Sequence, residues 1–349
     1  MTSPLNPSTA SQLRNQIWNS TIPLQISISS STSPASPSTP PPFYLNVPRL
    51  SYIPFLLPRL HRFFAPYLQE PSSSSSGSPS SSSDTPQPHD GWFSYDGVPL
   101  KWHYPVGLLH DLYAPPSTPS PNPASTTTTT SSAAPPPPRH WSLLLHFTPT
   151  PPTLIPLDAS GKVLHDAYIN TLKESDYLRY GSAKGIMSLS VADAAKLWAG
   201  IETHTQKGYW DVMGRLLSPS NMLLKHVPVR VYLASPPPPP PPPEAGGEGP
   251  AAGRRKIRTG GAPVQQQITV HQPPLAPTIA GRVPAQPQTV GTALHTLLPN
   301  LFTSRRRCTI ARPVLHGVVV PMEAELEALM RSGAGYADGF IHIVVELMD

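Results

Sequence analysis

The sequence has a single cysteine, few charged residues and no long apolar run. Cys308 is the one thiol in 349 residues, which excludes an internal disulfide framework and favours a reducing compartment. Charged residues make up 13 % of the chain, against roughly a quarter in an average globular protein. No stretch approaches the roughly 18 continuous apolar residues of a membrane-spanning helix. The first 40 residues also lack the basic-then-apolar pattern of a secretory signal. We therefore expect a soluble, cytoplasmic protein.

Proline, serine and threonine are abundant and concentrated in four inserts. The chain has 51 prolines and 22 glycines, yet 38 % of its residues are hydrophobic. The inserts cover residues 29–42, 71–90, 115–138 and 235–266, and the last begins with eight consecutive prolines. Such segments have too little apolar surface to offset the entropy lost on ordering them. The composition predicts packed modules interrupted by long inserts.

The positive charge of the chain is mild. A net charge of +5 allows attraction to anionic lipid or nucleic acid without requiring either. Two basic runs, at residues 254–256 and 305–307, are better read as solvated loop charge than as a lipid-binding patch. Neither run alternates with aromatic residues along one face, which argues against a nucleic-acid-binding protein.

The hydrophobic pattern predicts an α+β protein with two similar units. After a short N-terminal helix (1–20), strands and helices of residues 21–150 alternate in the order of a ubiquitin-like β-grasp domain. Between residues 49 and 68 the apolar spacing is helical, although Pro54 and Pro58 predict a bend or a late start.

The rest of the chain continues this layout. Residues 158–218 carry only helical patterns, and Ser190 three residues before Asp193 marks the start of one helix. Residues 225–349 repeat the β-grasp order, with VLHGVVV (314–320) as one strand. The expected architecture is two ubiquitin-like domains flanking a helix-rich domain.

Four segments resemble the autophagy protein 5 family. WFSYDGVPLKWHYPVGLLHDLY (92–113) is similar to the family's most distinctive segment, and PRLSYIPFLLPRLHRFF (48–64) to its first-domain helix. INTLKESDYLRYGSAKGIMSLSVADAAKLWAG (169–200) resembles its helical domain, and ADGFIHIVVEL its last strand. The matches fall in the family's order and cover nearly all the sequence outside the inserts.

The resemblance implies a scaffold and acceptor rather than an enzyme with its own active site. Members of this family are joined through an isopeptide bond to autophagy protein 12, with autophagy proteins 10 and 3 as transient transfer enzymes. The conjugate binds a helix of autophagy protein 16 and promotes transfer of autophagy protein 8 to phosphatidylethanolamine. This implies a peripheral place at the preautophagosomal structure membrane, and no cofactor or metal.

The resemblance also implies the functional residues. Lys173, in TLKESD, matches the acceptor lysine, and Lys162 and Lys184 are the runners-up. Trp18 and Arg49 match positions of the groove for autophagy protein 16. Charge reversal at Arg49 is expected to weaken that binding without lowering thermal stability. A structural role for either residue, as a core tryptophan or a strand-end arginine, stays open.

Two other readings of the chain remain as alternatives. The first is an adaptor that is never conjugated. The second is a standalone thiol enzyme using Cys308, whose pKa the preceding arginines could depress. His103, His110 and Asp111 do not suggest a catalytic or metal site. No nucleophile stands at a spacing typical of catalysis, and no further His or Cys stands at the spacing of a metal ligand. No Cys/His/Asp or Ser/His/Asp constellation accompanies a glycine-rich turn, which disfavours the enzyme.

Overall fold

The structure, a computed structural model, describes most of the chain outside the inserts. The described residues are 7–29, 40–68, 86–114, 140–220, 222–235, 267–279, 281 and 285–348. The polyserine, polythreonine and polyproline runs of the predicted inserts lie outside them.

The N-terminal helix leads directly into a five-stranded sheet. The elements are α1 (Pro7–Asn19), β1 (Thr21–Ile28), β2 (Phe43–Pro48), α2 (Leu57–Phe64), β3 (Trp92–Tyr95), β4 (Val98–Pro99), α3 (Val106–Tyr113) and β5 (Trp141–His146). The strand order is β2-β1-β5-β3-β4, and the central pair β1 and β5 is parallel. Every second side chain of β1 is buried, as its alternating sequence predicts. This is a β-grasp sheet, and we call it the first unit.

Four helices follow and form the helical region. They are α4 (Lys162–Tyr180), α5 (Lys184–Met187), α6 (Val191–Glu202) and α7 (Gln206–Leu217). The Ser190 hydroxyl accepts a 3.1 Å hydrogen bond from the Asp193 N–H, so the predicted cap of α6 is confirmed.

The last part of the chain repeats the strand order of the first unit. Its elements are β6 (Val229–Ser235), β7 (Gln267–His271), β8 (Thr278–Ile279), β9 (Gln286–Pro287), α8 (Val290–Leu297), β10 (Ala311–Leu315), β11 (Val318–Val319), α9 (Leu326–Arg331) and β12 (Ile341–Leu347). The order β11-β10-β12-β6-β7, with β6 and β12 parallel, is that of the first unit with each strand replaced by its counterpart. We call this the second unit. The expected α+β class with two ubiquitin-like folds is therefore confirmed.

Three local expectations are corrected or refined. The helix predicted after residue 49 starts late: a 3-10 turn covers Ile53–Leu56, and α2 has Pro58 in its first turn, where a missing N–H does no harm. VLHGVVV is a hairpin and not one strand, because His316 and Gly317 both have positive φ and reverse the chain. The insert predicted at 71–90 ends earlier, since Pro88–Asp90 forms a 3-10 turn.

The buried apolar residues fall into two clusters. One cluster belongs to the first unit alone and lies between its sheet and its helices α2 and α3. The other runs without interruption through α1, the helical region and the second unit, and it includes five residues of the first unit: Leu50, Tyr52, Trp102, Leu108 and Leu112. The helical region and the second unit therefore share one core.

Candidate functional site

The side chain predicted as the acceptor lies on α4, the longest helix among the described residues. Helix α4 begins after Gly161, whose φ of +71° suits glycine, and ends at Gly181, whose φ is +73°. The Asp158 carboxylate accepts hydrogen bonds from the N–H groups of Lys162 and Val163 at 3.1 and 2.8 Å. The hydrogen bond from the Ser160 hydroxyl and those from the backbone lower the pKa of Asp158 to about 2. The helix therefore starts and ends at defined residues.

One face of α4 is fixed in the shared core, and Lys173 lies beside that face. Leu164, Tyr168 and Leu172 are buried, as their four-residue spacing predicts. Lys173 is half-buried. Within the described residues, no hydrogen-bond or ion-pair partner contacts its amine. Tyr177, one turn further on, is 59 % exposed. Among the described residues, the Lys173 amine therefore has no hydrogen bond or ion pair to break when it reacts.

The residue after Lys173 ties the helix to the second unit. The Glu174 carboxylate accepts hydrogen bonds of 2.7 Å from both Arg230 on β6 and Gln272 just after β7. Arg230 also donates to the Gln272 side-chain oxygen at 2.7 Å and stacks over the Phe340 ring at 3.8 Å. These contacts orient this turn of α4 without using Lys173.

The two runner-up lysines differ in their surroundings. Lys162 is 73 % exposed and forms an ion pair with Asp166 one turn away. The hydrogen bond to Asp166 raises the pKa of Lys162, which opposes the loss of a proton that a nucleophilic amine needs. Lys184 is exposed and stands on the single-turn helix α5. Of the three, Lys173 alone combines an unpaired amine with a long, anchored helix.

Arg49 lies between the two units rather than at an exposed strand end. Its side chain is 9 % exposed and forms an ion pair with Asp111 on α3, which is 3 % exposed. The same guanidinium group donates to the Gly107 carbonyl at 3.3 Å. The second carboxylate oxygen of Asp111 accepts a 2.8 Å hydrogen bond from the Gly317 N–H in the β10–β11 turn. Arg49 and Asp111 thus form a polar link from the first unit to the second.

The charge state of this link follows from its surroundings. Burial by itself raises the pKa of Asp111, but the hydrogen bond with His110 and the charge of Arg49 outweigh it and lower the pKa. His316, in the turn that Asp111 contacts, stacks on Tyr336 with ring centroids 4.1 Å apart. Burial and the nearby Arg49 charge lower the pKa of His316 to about 4, so this ring is neutral at pH 7.

Trp18 is buried where α1 meets the helical region. It is 2 % exposed and stacks on His204 with ring centroids 4.8 Å apart. Its indole N–H donates to the His204 carbonyl at 3.4 Å, and its ring also packs against Tyr209. Trp18 therefore fixes α1 on α7, and its contact with a partner stays a prediction, as does that of Arg49.

A buried polar cluster in the second unit was not found from the sequence. His342 on β12 bonds to Asp338 and to the Tyr232 hydroxyl, each at 2.8 Å, and is 1 % exposed. Sequence reasoning likewise dismissed Asp111 as a weak catalytic candidate and missed its pairing with Arg49. Alternation along β12 puts His342 on the opposite face from Ile341 and Ile343, yet both faces of this strand are buried, and nothing local identified the partners of His342.

The residues considered for enzyme chemistry do not assemble into a catalytic site. Burial raises the pKa of the Cys308 thiol, whereas a reactive cysteine needs a lowered one. His103 packs against the Tyr104 ring, and His110 lies 3.3 Å from Asp111. In the described ranges, no group of three or more potential ligands could hold a metal ion. No helix among those residues is long and apolar enough to cross a membrane.

The fold defines a class of protein in which two ubiquitin-like units flank a helical region. Three sequence profiles match in the same order: "Autophagy protein ATG5, UblA domain" over residues 17–147, "alpha-helical bundle region" over 161–219 and "UblB domain" over 226–345. Autophagy protein 5 of Aspergillus terreus is 42 % identical over 344 residues, which is 98 % of each chain. Autophagy protein 5 of Aspergillus fumigatus is 42 % identical over 345 residues, 98 % of this chain and 97 % of its own.

A solved structure has the same fold. The crystal structure of Kluyveromyces marxianus Atg5 aligns with a TM-score of 0.64 at 21 % identity, covering 96 % of this chain and all of that one. The chain belongs to the autophagy protein 5 family, and its role lies in autophagy. The matches indicate no catalytic family.

Proposed function

We propose that the chain is the acceptor and scaffold subunit of an autophagy conjugation complex, with Lys173 as the acceptor. The observation that carries this proposal is the half-buried Lys173 on an anchored helix, whose amine has no partner among the described residues, in a chain of this family. The ubiquitin-like autophagy protein 12 would be joined to it through its C-terminal glycine.

The chemistry of this step is an acyl transfer from a thioester to an amine. The neutral Lys173 nitrogen attacks the thioester carbonyl carbon of autophagy protein 12, which is carried by a transfer enzyme. The carbon–nitrogen bond forms, the carbon–sulfur bond breaks and the thiolate leaves, while the surplus amine proton goes to the transfer enzyme or to solvent. A lysine pKa of about 10.4 leaves little neutral amine at pH 7, so the transfer enzyme supplies the deprotonating environment. In this account the chain provides the nucleophile and its position, but no catalytic group.

The partner groove is the second part of the proposal. A helix of autophagy protein 16 would lie between α1 and the two units. Trp18 fixes α1 on the helical region, and the Arg49–Asp111 pair sets the spacing of the units. Both residues then hold the surfaces that line the groove in fixed positions. A preorganised surface loses less conformational entropy when it binds a partner.

The conjugate would act as a ligase-like complex at a membrane. Bound to autophagy protein 16, it would promote transfer of autophagy protein 8 to phosphatidylethanolamine, with autophagy proteins 10 and 3 as transient partners. We place this complex in the cytoplasm and at the periphery of the preautophagosomal structure. The net charge of +5 allows attraction to anionic lipid without requiring it.

Replacing Lys173 by Arg tests the acceptor. Arginine keeps the positive charge but cannot act as the nucleophile, so we expect conjugate formation to fall by at least about a hundredfold. The measurement is the yield of the heavier band in a reaction with purified conjugation enzymes, with melting temperature as the check on folding. Lys162→Arg and Lys184→Arg are the matched controls and should conjugate normally. Loss of the band in either control, with its persistence in Lys173→Arg, would reassign the acceptor.

A further inference from the structure

The loop between α8 and β10 presents a basic run and a hydroxyl group on the surface. Arg305, Arg306 and Arg307 are all exposed, and so is Thr309. Ile310, which follows, is 43 % exposed. Neither the fold nor the proposed function uses these side chains.

The spacing of these residues is that of a substrate for an arginine-directed protein kinase. Arg306 and Arg307 stand three and two residues before Thr309, and the apolar Ile310 comes directly after it. Kinases of this type bind an extended segment, with carboxylates that pair with guanidinium groups before the acceptor and an apolar pocket after it. Guanidinium–carboxylate pairs are strong and directional, which makes the positions of the two arginines informative.

The backbone of the loop makes few contacts: the Arg306 N–H donates to the Ser304 hydroxyl at 3.2 Å, and the Arg305 carbonyl packs against Gly291 on α8. Among the described residues, no backbone-to-backbone hydrogen bond involves residues 303–309. The Thr309 hydroxyl has one long contact, 3.3 Å to the hydroxyl of Thr303. The Ile310 carbonyl accepts a single hydrogen bond, from the Met348 N–H near the end of the chain. An extended conformation around Thr309 therefore costs few native contacts.

The ends of the loop are fixed, which keeps the acceptor outside the core. Phe302 is 1 % exposed, and its carbonyl lies 2.7 Å from the His295 ring nitrogen. Ala311 is fully buried at the start of β10. By contrast, Ser51, which also follows an arginine two residues earlier, is 8 % exposed. Thr309 thus combines the spacing with accessibility.

We propose that Thr309 is a phosphorylation site for an arginine-directed protein kinase. In this step the Thr309 hydroxyl oxygen attacks the γ-phosphorus of ATP and forms a new O–P bond. The bond between the γ-phosphorus and the bridging oxygen breaks, ADP leaves, and the hydroxyl proton passes to the kinase's catalytic carboxylate. A phosphothreonine carries a charge of about −1.5 to −2 at pH 7, which offsets about half to two-thirds of the charge of the three arginines.

The test uses the folded full-length chain, ATP and the catalytic subunit of the cyclic-AMP-dependent protein kinase, which is arginine-directed. Tandem mass spectrometry of the digested product locates the phosphate. We expect it on Thr309 in the native chain, and its loss in Thr309→Val. Thr303→Val, in the same loop but without arginines two and three residues before it, is the control and should leave the phosphorylation intact.

The second measurement is the rate of phosphorylation of variants in which one of the three arginines is replaced. Arg306→Gln and Arg307→Gln should each lower kcat/KM for phosphorylation about tenfold or more, because each removes a charge-assisted hydrogen bond. Arg305→Gln removes the same charge four residues before Thr309 and should change the rate by less than about threefold. Equal melting temperatures would show that the variants fold. Absence of phosphate from Thr309 in the native chain, or equal effects of all three arginine variants, would overturn the proposal.

Discussion

The two ubiquitin-like units have the same strand order but do not close their cores in the same way. The first unit buries most of its apolar residues in a cluster of its own, whereas its Leu50, Tyr52, Trp102, Leu108 and Leu112 join the other cluster. The second shares a continuous core with α1 and the helical region. Two units with the same strand order can therefore differ in how independently they unfold. What differs is how much of the core of each unit is shared with neighbouring elements.

The contacts between units show the same difference. Tyr209 on α7 and Tyr168 on α4 donate to the Ala337 carbonyl of the second unit at 3.0 and 3.2 Å. Arg179, fully buried on α4, donates to the Gly339 carbonyl at 3.1 Å. The two ubiquitin-like units, by contrast, are linked by the polar Arg49–Asp111 pair and by an edge-to-face contact between Tyr104 and Tyr232, with ring centroids 5.8 Å apart. We expect the helical region and the second unit to unfold together, and the first unit to separate from them.

Charge reversal at Arg49 should have the largest effect on this arrangement. Arg49→Glu places a carboxylate against Asp111 and leaves both charges buried, so we expect a loss of about 3–5 kcal/mol in the free energy of unfolding. The sequence alone predicts no loss of stability, because it shows Arg49 without Asp111. Chemical denaturation measures the difference. Arg62→Glu on the exposed side of α2 is the control and should change stability by less than about 1 kcal/mol. Equal stability of wild type and Arg49→Glu would contradict the buried link.

A pair of matched cavity variants separates the two cores. Leu143 on β5 is 1 % exposed in the first unit, and Leu294 on α8 is fully buried in the second. Each change to Ala should cost about 2–5 kcal/mol. Hydrogen exchange should then increase in the first unit alone for Leu143→Ala. For Leu294→Ala it should increase in the second unit and the helical region together. If Leu294→Ala increased hydrogen exchange in the second unit alone, the second unit and the helical region would not unfold as one cooperative unit.

The pH dependence of stability sharpens the comparison at the contact between the units. The pKa of His316 is lowered from about 6.5 in the unfolded chain to about 4, so the unfolded state binds the proton first as the pH falls. Stability should therefore decrease as the pH falls from about 6.5 to about 4, by roughly 1–2 kcal/mol at pH 5 relative to pH 7.

His316→Gln isolates this contribution. The variant should unfold with a smaller difference between pH 7 and pH 5 than the wild type, whatever its absolute stability. Hydrogen exchange of the β10–β11 turn at both pH values locates the effect. An unchanged pH dependence in His316→Gln would assign the loss of stability to other groups.

Local sequence patterns predicted the helices and strands, but they could not predict contacts between residues far apart in the sequence. The alternation in β1 and the Ser190 cap are readable because each depends on residues close in sequence. Arg49 and Asp111 are 62 positions apart, and Gly317 is 206 positions beyond Asp111, so their meeting depends on how the units pack. The hairpin at His316 was missed because a continuous apolar run around one glycine also fits a single strand.

The candidate site shows the same limit. The resemblance of TLKESD to the family supplied Lys173, but nothing in the sequence showed that its amine has no partner among the described residues, whereas Lys162 pairs with Asp166. Helical spacing alone favours the Lys162–Asp166 pair, since the two stand four residues apart. The orientation of Lys173 depends on Glu174 and its contacts with strands far along the chain.

The position of the isopeptide bond tests the central claim most directly. The conjugate, purified from cells or formed with purified enzymes, would be digested and its branched peptides sequenced by mass spectrometry. We predict that the C-terminal glycine of the ubiquitin-like protein is found on the Lys173 side-chain nitrogen. A conjugate branched at Lys162 or Lys184, or a chain that forms no conjugate under conditions where a relative of the family does, would contradict it.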